Sequence, residues 1–367
     1  MIPFLDLHAA TRELQDEIDG AVARVISSGW YLGGPELTAF EAAWGEFCGA
    51  AHAVGVGNGL DALHLALKAI GVGPGDEVIV ASNGYIATQL AVTMAGATPV
   101  PVEPDPATHN LDPTRIAAAI TAKTKVILPT HLYGQPADLD AICAVAKVHG
   151  LVVIDDAAQA HGARYKGMRV GSGGRTLITC WSFYPSKNLG ALGDGGAVTT
   201  NDAELAARIR RLGNYGSDIR YVNRELGVNS RLDPIQAAVL GVKLAKLDQW
   251  NARRKEVAAF YTEALAGLDG LSLPHIPEWA GPSWHLYVVR ANNRDDLAKR
   301  LAAAGVQTLI HYPIPPHRQQ AYAEMDLAAG SLPIAEQLAA EVLSLPIGPH
   351  LGMDSATRVA DAVRRCA

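Results

Sequence analysis

From about residue 50 to 200, short runs of β-branched and apolar residues alternate with Ala/Leu-rich stretches of helical period. A strand buried on both faces is apolar at consecutive positions, whereas a helix lying on a sheet repeats its apolar residues every three to four. Strands are therefore predicted at Ala53–Val56, Glu77–Val80, Thr98–Val102, Lys125–Leu128, Leu151–Asp155, Ile178–Phe183 and Ala197–Thr200. Helices are predicted near Leu60–Ile70, Ile86–Ala95 and Leu139–His149. This alternation points to an α/β fold built on a large, mostly parallel seven-stranded sheet with helical crossovers. Glycine and proline stand where elements must stop, as in Gly71-Val-Gly-Pro-Gly75 ahead of the Glu77 strand, and Asn201-Asp202 suits the cap of a helix through Leu212.

Past Asp233-Pro234 a helical pattern runs through Lys246 to Leu265, and the Pro/Gly-rich stretch Pro274–Pro282 reads as a linker. The remainder is βαβ-like, with strands Trp284–Val289 and Val306–Ile310 around a helix Asp295–Ala304, another helix from Ile334 and a last one from Asp354. The expected organisation is a large domain over residues 10–250 and a smaller α+β C-terminal domain over 251–367, with residues 1–9 packing against the latter. A site is expected in the crevice between them.

Composition narrows the function. With 49% hydrophobic residues in 367, the chain can bury a large core, and its net charge of −6 without basic runs offers no footprint for nucleic acid or an anionic membrane. A small soluble substrate is the expectation. Cys48, Cys143, Cys180 and Cys366 form no CxxC pair and fit a reducing cytoplasm. The start MIPFLDLHAA lacks a basic region followed by an apolar one, and no apolar run reaches the roughly 18 residues of a membrane span, so a cytoplasmic location is expected. No HxH or HExxH spacing occurs, and no metal is expected.

Chemistry concentrates at predicted strand ends. Trp181-Ser-Phe-Tyr-Pro-Ser-Lys187-Asn-Leu-Gly follows a strand, where ligands of open α/β sheets bind, and a tight loop that limits solvation would make Lys187 a reactive amine. Val152-Val-Ile-Asp-Asp156-Ala-Ala-Gln159-Ala-His161 is a buried strand ending in two carboxylates, of which Asp155 is expected to point away from Asp156. A pyridoxal phosphate ring needs an anion to keep its nitrogen protonated, a role open to Asp156, and Gln159 can donate to its phenolic oxygen. Val56-Gly-Asn58-Gly59-Leu60-Asp61 joins a strand to a helix whose free amides make an anion site, to which Ser182 can add a hydroxyl. Tyr85, after Ser82-Asn-Gly, could stack on the ring.

In this order, a glycine turn, an aromatic, Asp-x-x-Gln and Ser-x-x-x-x-Lys, the chain resembles the DegT/DnrJ-type sugar aminotransferases, within the fold type I (aspartate aminotransferase-like) PLP-dependent transferases. The resemblance runs from Phe4-Leu-Asp-Leu7 to Leu345-Pro-Ile-Gly348. It implies that Lys187 carries pyridoxal 5'-phosphate as an internal aldimine, that Asp156 and Gln159 address the ring, and that Ser182 with the backbone of Gly59 and Leu60 holds the phosphate. Leu60 stands where the family usually has Thr, and Gly84 where Thr often precedes the aromatic, so a hydroxyl contact from residue 60 is lost. Within Gly227-Val-Asn229-Ser-Arg231, the resemblance implies a homodimer in which Asn229 reaches the partner's phosphate. His131-Leu-Tyr-Gly-Gln-Pro136, Tyr184 and Asp194-Gly-Gly look like enzymes that aminate carbon 3 of nucleotide-linked (dTDP) 3-keto-6-deoxyhexoses, with L-glutamate as amino donor. Enzymes acting at carbon 4, the alternative, often carry His at the Tyr184 position, and a non-transaminating PLP lyase on the same fold is a further alternative. His311, Tyr312 and His317, in His311-Tyr-Pro-Ile-Pro-Pro-His317, are the resemblance's further candidates for lining the sugar pocket.

Overall fold

The structure is a computed structural model that describes residues 1–367. Helices α1 (Leu7–Glu13), α2 (Gln15–Ser28) and α3 (Pro35–Cys48) precede the first strand. Then β1 (His52–Val56), α4 (Gly59–Ala69), β2 (Glu77–Ala81), α5 (Ile86–Met94), β3 (Thr98–Val102), α6 (Pro113–Ala119), β4 (Thr124–Leu128), α7 (Leu139–His149) and β5 (Val152–Asp156) alternate as the hydrophobic pattern predicts, with α6 an added short helix between β3 and β4. A short hairpin, β6 (Arg164–Tyr165) and β7 (Met168–Arg169), leads to β8 (Ile178–Ser182) and β9 (Gly196–Thr200).

The seven long strands form one sheet in the order β1-β9-β8-β5-β4-β2-β3. Only β9 runs against its neighbours, while β8, β5, β4, β2 and β3 pair in parallel. The sheet is apolar on both faces because both are covered. On one side Val54, Val80, Val126 and Ile154 meet Leu65 and Leu67 of α4. On the other, Trp181 and Phe183 meet Phe40 and Trp44 of α3, with the Trp44 and Trp181 rings edge to face at 5.0 Å. Each such side chain contributes about 1.5–3 kcal/mol by leaving water.

The cap predicted at Asn201-Asp202 resolves to Asp202, whose carboxylate accepts from the Glu204 and Leu205 amides at the start of α8 (Ala203–Gly213). A hairpin of β10 (Ser217–Ile219) and β11 (Val222–Asn223) follows. The long helical pattern after Pro234 breaks at Ala245-Lys246 into α9 (Pro234–Leu244) and α10 (Leu247–Ala264). Leu247 of α10 packs into the large-sheet core, whereas Val257, Ala258 and Tyr261 pack into the C-terminal core. Position 250 therefore lies inside a helix shared by both cores.

The C-terminal part differs from expectation in two places. Val306–Ile310 forms no strand; Val306 makes an isolated bridge to Ile2 and Leu309 another to Ser344. The main chain there is divided between two partners, and the prolines from Pro313 onward end any extension. The third strand of the small sheet is instead β15 (Val342–Leu345), which directly follows α12 (Pro333–Glu341) and joins β12 (Leu271–Ser272) and β14 (Tyr287–Ala291) in the order β12-β14-β15. All its pairings are antiparallel, and α11 (Arg294–Ala303) and α13 (Met353–Cys366) contribute Leu297, Leu301 and Val359 to its core. The Pro274–Pro282 stretch is tied down, because β13 (Ala280–Gly281) pairs with β6.

Candidate active site

The carboxyl ends of β1, β5 and β8 converge, and the predicted residues stand on the turns that follow them. After β1, Asn58 caps α4 by accepting from the Asp61 amide at 2.9 Å. The first-turn amides of Gly59 and Leu60 have no acceptor in the chain, as helix geometry requires. Gly59 lies against Ser182 so closely that a Cβ there would stand 2.6 Å from the Ser182 Cβ. Ser230 braces the turn from behind, accepting from the Gly57 amide at 2.9 Å and donating to Asp61 at 2.7 Å. That bond turns the Asp61 carboxylate toward Ser230.

Alternation along β5 sends its two carboxylates to opposite faces. Asp155 accepts from the hydroxyls of Thr176 at 2.7 Å and Thr179 at 3.4 Å. Asp156, 5% exposed, accepts at Oδ2 from Thr88 (2.7 Å) and Thr130 (3.4 Å) and at Oδ1 from the Ala158 amide (3.1 Å). The two threonines hold an anionic acceptor in a fixed direction. They went unnoticed in the sequence, where single threonines carry no signal. Gln159 is fixed as firmly: Oε1 accepts from the Tyr133 amide at 2.6 Å, which orients Nε2 toward the Tyr312 hydroxyl at 3.1 Å. Tyr312 packs on Tyr85 with ring centroids 5.2 Å apart, and burial holds its phenol protonated.

Lys187 faces this group from the β8 loop, where its backbone amide closes a turn on the Tyr184 carbonyl at 2.8 Å. Burial drives the pKa of its amine down to about 8 while the Asp156 charge pulls the other way. Three buried imidazoles feel its charge. Burial first, then the Lys187 charge, lowers His161 to about 3, His311 to about 4 and His285 well below its usual value, so all are neutral at physiological pH. His311 Nδ1 lies 2.8 Å from the Ser344 hydroxyl, and its carbonyl accepts from Tyr133 Oη at 2.5 Å. His285 and the buried Arg254 had no signal in the sequence; only the fold brings them beside Lys187.

Two predicted residues stand apart. His317 is buried with Nε2 on Glu336 of α12 at 3.2 Å, and nothing connects its ring to Lys187. Asn229 is exposed, its backbone bridged to Asn214. Tyr184, 55% exposed, stands at the open side.

The residues present fit pyridoxal phosphate. Free helix-terminal amides and a hydroxyl crowd a glycine where a phosphate would rest, a braced carboxylate lies deeper, and a weakly basic amine faces it. The comparisons agree. The chain is 56% identical over 366 residues, covering 100% of itself and 96% of the relative, to dTDP-3-amino-3,4,6-trideoxy-alpha-D-glucose transaminase of Streptomyces venezuelae. It is 52% identical to dTDP-3-amino-3,6-dideoxy-alpha-D-galactopyranose transaminase of Aneurinibacillus thermoaerophilus, over 100% of this chain and 99% of that one. The crystal structure of S. venezuelae DesV in complex with a ketimine intermediate superposes with a TM-score of 0.98 at 55% identity, covering 99% of this chain and 98% of that one. That of NtdA from Bacillus subtilis, with bound cofactor PMP, does so at 0.92 and 32% identity, covering 100% and 85%. With the model of the DegT/DnrJ/EryC1/StrS aminotransferase family matching residues 12–364, the chain belongs to that family of pyridoxal-phosphate enzymes.

Proposed function

We propose that this protein transfers an amino group from L-glutamate to carbon 3 of a dTDP-linked 3-keto-6-deoxyhexose, giving a 3-amino-3,6-dideoxyhexose. The observation that carries the reading is the placement of a weakly basic lysine amine opposite a braced aspartate, beside a tyrosine pair at the mouth of the pocket. The names of the two dTDP-sugar transaminases support the substrate class. In this reading the large domain, residues 10–250, holds the cofactor, and the C-terminal domain, 251–367 with 1–9, supplies His311 and Tyr312 to the sugar side. Four unpaired cysteines fit a cytoplasmic location. No helix is long and apolar enough to cross a membrane.

When bound, pyridoxal phosphate supplies an electron sink and carries the amino group between two half-reactions. Lys187 would hold it and, with its amine free, would move a proton at Nζ to and from the substrate carbon, a task suited to an amine with a pKa near the working pH. Asp156 holds a proton on the ring nitrogen, and Thr88 and Thr130 keep its carboxylate aimed. Gln159 Nε2 has a second hydrogen to offer an oxygen beside Tyr312. The amides of Gly59 and Leu60, with Ser182, bind the phosphate. A homodimer completes the site, with Asn229 crossing to the partner's phosphate.

The test is incubation with L-glutamate and a panel of 3-keto and 4-keto nucleotide sugars, reading the amino sugar by mass. We expect product from the 3-keto sugars; product from 4-keto sugars alone would overturn the carbon 3 assignment.

A further inference from the structure

Glu103 stands one residue past the end of β3, beside Ser82 at the end of β2, because Ala81 and Val102 are partners in the parallel register. The Ser82 hydroxyl donates to its Oε2 at 3.1 Å. The other two donors come from α12, 231 residues along the chain: the Ile334 amide reaches Oε1 at 2.7 Å and the Ala335 amide reaches Oε2 at 3.0 Å. The helix cannot supply this cap itself. Leu332 at its cap position carries no side-chain acceptor and Pro333 has no N–H, so Ile334 and Ala335 hold the first amides that need one. A carboxylate only 6% exposed is tolerated where such donors meet it.

The two segments joined at Glu103 lead to the two packed tyrosines. Ser82 opens the turn Ser82-Asn-Gly-Tyr85, and the Tyr85 ring lies 5.2 Å from that of Tyr312. On the other side, Glu336 in the first turn of α12 accepts from the Gly330 amide at 3.0 Å and lies 3.2 Å from His317 Nε2. His317 ends the segment that His311 begins, and the beginning is held by Tyr133 Oη on the His311 carbonyl and by Gln159 Nε2 on Tyr312. The buried His317, which does not reach Lys187, is therefore the far anchor of the segment that carries Tyr312. Two further bonds cross nearby, Thr93 Oγ1 with Tyr322 Oη at 3.0 Å and Arg290 Nη1 to the Pro106 carbonyl at 3.1 Å, but neither touches the Tyr85 turn or the start of α12.

We propose that Glu103 is a positioning residue for the keto-sugar half of the reaction. By capping α12 from the end of β3 while holding Ser82, it sets where Tyr312 stands against Tyr85, and Glu336 with His317 carries that placement into residues 311–317. The inference rests on the reading of this wall as the sugar side of the pocket.

The test separates placement from mere support by giving α12 a cap of its own. Full-length Glu103→Ala is compared with Glu103→Ala/Leu332→Asp, because Leu332→Asp puts an acceptor where it can serve the same two amides. Hydrogen exchange read on peptides should show residues 333–341 exchanging at least about tenfold faster in Glu103→Ala and recovering in the double variant, while residues 311–322 stay faster in both. With the 3-keto nucleotide sugars, KM should rise about tenfold in both variants, with kcat and the rate of the L-glutamate half-reaction within about threefold of wild type. His317→Ala should raise KM in the same way and add little to Glu103→Ala, since the two lie on one path. Should Glu103→Ala fail to fold, the double variant and Glu103→Gln, which keeps one acceptor oxygen, carry the comparison. Recovery of both the 311–322 exchange and KM in the double variant would reduce Glu103 to a helix cap and overturn the proposal, as would an equal loss in the glutamate half-reaction. If wild type aminates none of the sugars, the sugar-side reading fails, and the exchange of 311–322 still decides whether Glu103 places that segment.

Discussion

Behind Lys187, Asp156, Gln159 and Ser182 are each under 10% exposed, and each takes part in hydrogen bonds within the chain. Elsewhere the chain leaves large side chains in water: Tyr85 and Tyr184 are each 55% exposed, Tyr221 85% and Leu226 96%, with Trp30 and Tyr31 also bare. The first region is finished by one chain, with threonines, amides and carbonyls already assigned to partners. The second group is made of large apolar side chains left bare by this chain alone. The difference teaches that the inner residues are held by folding alone, whereas the bare side chains are the surface on which the proposed dimer would draw. That is the physical ground for the proposed dimer.

The largest effect should come from cutting into the inner region. Lys187→Ala should keep the fold yet lower amination by at least about 10⁴-fold and abolish the visible absorbance of the bound cofactor. Rapid turnover by that variant without added amine would remove Lys187 from the chemistry. An intermediate effect should come from the outer region: a charge at Leu226→Glu should split the subunits in sedimentation and reduce activity by about 10²-fold through loss of the partner's contribution. A variant that sediments and reacts like wild type would show that the face around Leu226 has no partner.

The smallest effect sharpens the contrast by pH. His161 is kept neutral down to about pH 3 inside, while the unfolded chain protonates it near 6.5. A depressed folded pKa means that the unfolded state binds the extra proton in this window. Stability should therefore be full above pH 6.5 and fall as the pH drops toward 3, by up to about 1.4 kcal/mol per unit for this residue. Urea unfolding across that range checks it; a His161→Phe variant with the same acid slope as wild type would show that other groups set it.

The sequence was most legible where one physical cause acts alone. All seven long strands lie within a residue or two of their predicted bounds, because burial on both faces forces continuous apolar runs. Leu139–His149 is a helix over the predicted residues. Lys187, Asp156 and Gln159 were nominated by the order of several short motifs taken together, since no single segment distinguishes them. The C-terminal sheet was harder. Glu341-Val-Leu-Ser-Leu continues the apolar repeat of α12, so β15 hides in a helical pattern, while Val306–Ile310 has strand-like residues but partners in two different segments. Thr88, Arg254 and His285 were invisible because each reaches the site from a distant element, and no local pattern marks a residue whose role depends on tertiary neighbours. The three N-terminal helices, over residues 7–48, went unplaced for want of clear boundaries among their many alanines and acids.

The helix α10 has a bearing on how such enzymes can be re-engineered. Its first turns are anchored among the large-sheet residues and its last among those of the small sheet, so a join at residue 250 would cut a rigid rod embedded at both ends. A chimera meant to exchange the sugar-facing half should instead be joined at Ala245-Lys246, where the rod begins, and should carry the matching surface of the large sheet with it. The two halves are less like interchangeable cassettes than like two rooms sharing one beam.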